Sequence, residues 1–178
     1  YPTDSNLLYD AMRKAISLIA IVCSEIGITQ WRQSHHNVMK VKKQLRNIQK
    51  LRHSSSKDAT KKAQTDAIIV KAHEDYILLC QGLISRVEET IGIVRELGLL
   101  STMQDFRLTT VKQYIGHARR QIDQIRRRVV FGEKIPHAQK VFSIFEPHTE
   151  WITKGKAGVS KEMGLRDCVL KDQSGFIL

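Results

Sequence analysis

From Leu108 to Val129 an apolar residue falls at every third or fourth position: Leu108, Val111, Ile115, Ala118, Ile122, Ile125 and Val129. That spacing follows the turn of an α-helix and is incompatible with the two-residue alternation of a strand, so this stretch must be a helix with one buried side. An earlier run has the same property. Val70, Ile77, Ile84 and Ile91 recur every seven residues, with Cys80, Val87 and Val94 at the intervening positions. Gly98 is the expected stop of that helix, and Ser56 its expected N-cap. Only Leu99 to Ser101 separates the two runs, so two long helices, about 57–98 and 102–130, are expected to fold back on each other as an antiparallel hairpin. Thr102, with Asp105 three residues on, is the expected capping pair of the second helix.

Two further helices are expected upstream. The first starts at a cap provided by Thr3 or Asp4, carries Leu7, Leu8, Ala11, Met12, Ile16, Ile19 and Ile26, and ends at Gly27, which tolerates the left-handed conformation that stops helices. Its most apolar part, Ala15 to Cys23, is far shorter than the roughly 20 residues a bilayer requires, so it reads as a core segment with no membrane role. The second runs from about Arg32 to Leu51, with Val38, Val41, Leu45 and Ile48 inward, and stops at Ser54-Ser55-Ser56. Beyond Gly132 the period changes. Val141 to Phe145, Trp151 to Thr153, Cys168 to Leu170 and Phe176 to Leu178 are β-like runs, with Asp172 to Gly175 as a hairpin turn. The expected fold class is therefore mainly α with a C-terminal β portion (α+β), divided into residues 1–130 and 131–178.

Charge narrows the choice of partner. The formal net charge is +11, an excess suited to a polyanion and unsuited to a neutral small-molecule substrate. Residues 30–62 hold ten bases and one acid, residues 63–105 three bases and seven acids, and residues 106–128 seven bases and one acid. Lys42, Arg46 and Lys50 share a face of the second helix. Lys112, Arg119 and Arg126 recur every seven residues on the fourth, flanked by Arg120 and Arg127, and a phosphate backbone can run along such a stripe. A third basic element, Lys154-Gly155-Lys156-Ala157-Gly158, lacks the P-loop spacing, but its glycines and ammonium groups suit phosphate contact.

Metal or acid–base chemistry has little to stand on. Glu146, His148 and Glu150 lie within five residues, but Pro147 interrupts the strand that would align them and no second group of ligands is identifiable, so the segment reads as a structural or DNA-facing turn. Cys23, Cys80 and Cys168 are too few and too scattered for a disulfide framework or a zinc ribbon, which fits a reducing, intracellular compartment. A start at Tyr1 and an end inside an apolar run are those expected of a piece of a longer chain.

Several segments carry a resemblance. Val141-Phe142-Ser143-Ile144-Phe145-Glu146-Pro147-His148-Thr149-Glu150-Trp151-Ile152, then Lys154 to Gly158, then Gly164-Leu165-Arg166, is similar to a block of bacterial insertion-sequence DDE transposases of the ISNCY group. Tyr1 to Asp10 resembles the block that follows their first catalytic strand, and Asp172 to Leu178 extends the likeness. The resemblance implies a ribonuclease-H-like sheet whose first strands begin at Val141, interrupted by a helical insertion that grips transposon-end DNA or dimerises. It also implies three carboxylates holding two divalent metal ions, Mg or Mn, for phosphodiester transfer in the intact enzyme. Those carboxylates would precede Tyr1 or follow Leu178, so no residue here is assigned as catalytic or metal-binding, and Asp4, Asp10 and Asp172 fall in flanking turns or helices. The setting implied is a bacterial cytoplasm, at the nucleoid. The competing expectation is a free-standing helical module that binds nucleic acid or dimerises through its seams.

Overall fold

The computed structural model describes residues 3–53, 59–98, 100–136, 139–146, 149–153 and 161–164. Two compact units result, Tyr1–Gln139 and Lys140–Leu178.

The first unit is built from four helices: α1 (Asp4–Glu25), α2 (Ser34–His53), α3 (Ala59–Glu96) and α4 (Thr102–Ile125). A single π-helical turn, Arg126–Val130, continues α4. Thr3 caps α1 by accepting from the Asn6 amide, and Gly27 follows its end at φ +76°. The capping of α4 differs from expectation. Ser101 accepts from the Gln104 amide while the Gln104 side chain accepts from the Ser101 amide, a reciprocal box one residue before the Thr102–Asp105 pair. Ser54 to Ser56, the expected break and cap before α3, lie outside the described residues.

Charged pairs at both ends fix how α1 lies against α4. Arg107 near the start of α4 bonds Glu25 at the end of α1, and Arg128 after α4 bonds Asp4 at the start of α1. The helices are therefore antiparallel. Asp4 also sits in the first turn of its helix, where the free amides favour negative charge. α1 packs most extensively on α4, and then on α2. Between α1 and α2, Gln49 donates to Asn6 at 3.2 Å; between α3 and α1, Tyr76 donates to the Ser5 carbonyl at 3.1 Å. Small side chains, Ala11 and Ala15 on α1 and Ala118 on α4, help close axis spacing.

α3 and α4 fold back as the short link requires, and Arg119 of α4 reaches Glu88 of α3 at 2.8 Å. Their backbones stand further apart than those of α1 and α4. The seam residues Ile77, Ile84, Ile91, Ile115, Ile122 and Ile125 are buried, while Val70 and Val129 are half-buried. A second buried stripe on α3, formed by Tyr76, Leu83 and Thr90, widens its inward side toward the other helices.

The α+β expectation is corrected. The fold is helical, and among the described residues there is no ribonuclease-H-like sheet. Val141 to Phe145 form no strand, because Ser143 turns the chain by accepting from the Phe145 and Glu146 amides at 3.2 and 3.0 Å. The second unit contributes one two-stranded antiparallel ribbon, β1 (Glu150–Thr153) with β2 (Lys161–Gly164), in the register Trp151 to Met163. An isolated pair of four-residue strands has no face to bury and makes no sheet core. Cys168 to Leu170, Asp172 to Gly175 and Phe176 to Leu178 lie outside the described residues.

Candidate nucleic-acid interface

α2 turns one narrow stripe inward, Asn37, Val41, Leu45 and Ile48, and leaves the rest to solvent. No acid occurs anywhere in the helix, whereas Lys40, Lys42, Lys43, Arg46, Lys50 and Arg52 do. Lys40, Lys43, Arg46 and Lys50 are exposed and Lys42 is half-buried. None of Lys42, Arg46 and Lys50 has an ion-pair partner among the described residues. A groove of about 740 Å³ opens among these side chains, and every residue lining it belongs to α2. Met39 and Lys42 also line a cleft shared with Tyr9, Arg13, Ser17 and Ile21 of α1.

The fourth helix is electrostatically different. Arg119 is tied to Glu88, and Arg127 bonds Glu133 at 2.7 Å, lies 3.7 Å from Asp123 and donates to the Gln139 side chain at 3.2 Å. Arg120 donates to the Gln139 carbonyl at 3.3 Å. Lys112 and Arg126 alone of the five keep no ion-pair partner or hydrogen-bond acceptor among the described residues, and both line grooves shared with α3, one of which contains Glu88 and the other Asp123. Glu88 of α3, with Asp123 and Glu133, thereby neutralises part of the stripe that sequence spacing marks out.

The two basic helices do not form one face. α1 packs against both α2 and α4, whose backbones do not approach within 8 Å of each other. Lys154 and Lys156 lie outside the described residues, as does His148 of the Glu146–Glu150 group. Among the described residues no three His, Cys, Asp or Glu side chains are placed to hold a metal ion. No helix among them is long and apolar enough to cross a membrane.

Two interior features leave no mark on the spacing of the sequence. Trp31 adopts φ +68°, a rare conformation for a bulky residue, held by an indole bond to Thr90 Oγ1 at 2.9 Å and by the Arg86 guanidinium 4.6 Å from the ring centre. It anchors the turn that launches α2. His73, 1% exposed, bonds the Ile69 carbonyl through Nδ1 at 2.8 Å; desolvation, then the positive charges of Arg52 and Arg128, hold its pKa below the ordinary value. A buried histidine within an apolar period looks, in one dimension, like any surface histidine.

Comparison with protein-family models, with curated proteins and with solved structures finds no match.

Proposed function

We propose that this chain is a DNA-binding helical domain of a protein acting in DNA transposition, and that it holds duplex DNA through the solvent side of α2. The observation that carries the DNA part is the contrast between two basic segments: the cations of α4 and the turn after it are largely answered by carboxylates and carbonyls of the chain itself, whereas Lys42, Arg46 and Lys50 of α2 have no ion-pair partner among the described residues. Unanswered cations within one helix face stabilise an approaching phosphate backbone by releasing its counterions. From Lys40 to Lys50 the helix rises about 15 Å, a length over which a duplex presents roughly nine phosphates. The transposition part rests on the resemblance of Tyr1–Asp10 and Val141–Ile152 to insertion-sequence transposases. On that resemblance the metal-binding carboxylates belong outside this chain, and the domain's contribution is to hold transposon-end DNA.

The test compares two triple variants, K42Q/R46Q/K50Q on α2 and K112Q/R119Q/R126Q on α4, in salt titrations of duplex binding. Each phosphate that is no longer neutralised lowers the slope of log affinity against log salt by about 0.9. The α2 variant is expected to leave two to three phosphates unneutralised (roughly 1.8–2.7 in slope), and the α4 variant clearly fewer, with both still folded by circular dichroism. Equal reductions, or none, would remove α2 as the interface. Leu97, Met103 and Phe106, large apolar side chains exposed around the α3–α4 link, favour a second reading as a dimerisation module. Self-association through apolar surface would persist at high salt, where phosphate binding would fade.

A further inference from the structure

We infer that α2 enters the major groove of the duplex and reads bases there, rather than lying across the backbone; the inference rests on the DNA-binding reading above. The geometry supplies three reasons. First, Lys40, Lys43, Arg46, Asn47 and Lys50 are exposed on one side of α2, and a helix roughly 10–12 Å across matches a major groove about 12 Å wide. Second, the cations divide by position around the helix. Lys40 and Lys42 lie about 160° apart at 100° per residue, which aims them at the two strands bordering a groove, while Lys43, Arg46 and Lys50 occupy the centre of the exposed arc.

Third, the exposed arc contains groups that phosphates do not require. Met39, 41% exposed, lies near its centre between Arg46 and Lys50, and Asn47 is exposed toward its border, about 20° around the helix from Lys40. A guanidinium forks onto the O6 and N7 of guanine, a carboxamide onto the N6 and N7 of adenine, and an apolar tip meets the thymine methyl. No Phe, Tyr or Trp occurs in α2, whose ring side chains are the smaller His35, His36 and His53, so it offers a poor stacking platform for unpaired bases and the duplex is the favoured form.

The experiment uses the full chain and a random-sequence duplex library. Rounds of selection are expected to enrich a short motif, and replacing its purines with 7-deaza analogues, which removes only the major-groove N7, is expected to weaken binding. N47A, at an exposed position, is expected to reduce affinity for the selected duplex roughly 5- to 150-fold, while binding to unselected duplex stays within about twofold. Enrichment of no motif, or indifference to 7-deaza substitution, overturns base reading while salt-dependent binding of unselected duplex leaves the DNA reading standing. Absence of binding to any duplex removes both.

Discussion

At the scale of single residues, what matters most is how a buried polar group is satisfied. Trp31 keeps its left-handed backbone because Thr90 and Arg86 hold its ring from two sides, and an unsupported bulky residue would abandon that conformation. His73 shows the electrostatic counterpart. Its folded pKa is depressed, so the neutral form is favoured in the bundle. As pH falls below the unfolded value near 6.5 the unfolded chain takes the proton first, and the stability tied to the neutral imidazole is lost as pH drops toward the folded pKa. Urea midpoints at pH 7.5 and 5.5 should therefore diverge more in the native chain than in H73Q. His117, lowered by partial burial and by Arg120, gives a residual slope that H73Q retains. An unchanged pH dependence in H73Q would mean that the His73 ring is solvated.

At the scale of elements, glycines with opposite backbone requirements separate propensity from geometry. Gly116 lies within α4 with nothing within 4 Å of an added methyl, and an exposed helical Gly is worse than Ala by roughly 0.5–1 kcal/mol. G116A should raise stability by about that amount. Gly27, with equal space around it, has φ +76°, so G27A should destabilise the end of α1 instead. Thermal melts of the two variants moving in the same direction would contradict these backbone assignments. Much at this scale is legible in the residue order. The seams mark α3 and α4 because a period of 3.6 is imposed locally by the chain. The Ser101–Gln104 box is harder to pick out from Thr102–Asp105, since both pairs have the same i, i+3 chemistry and only the backbone angles distinguish them. The β-like run Val141–Phe145 misleads because β-branched and aromatic content reports a tendency, whereas a strand needs a partner.

For the whole molecule, the proposed function and stability are set against each other on α2. Lys42, Arg46 and Lys50 are like charges at i, i+4, a spacing that destabilises a helix by about 0.2–0.5 kcal/mol per pair. The K42Q/R46Q/K50Q variant should accordingly melt higher than the native chain at low ionic strength, and added salt should close the gap by screening the repulsion. Melting below the native chain at every salt concentration would indicate that these side chains support the bundle through their aliphatic stems instead. The sequence by itself determined the four helices upstream of Gly132, the seams they bury, such as Leu108 to Ile125, and the positive net charge; periodicity and net charge are properties of residue order and need no neighbours. Which cations remain available was decided only by tertiary structure. Lys42 with Arg46 and Lys112 with Arg119 are equivalent as sequence, but folding packs α1 against both helices and brings Glu88 and Glu133 to the arginines of α4 and the turn after it, because the strength of a charge's interactions depends on what stands within a few ångströms of it.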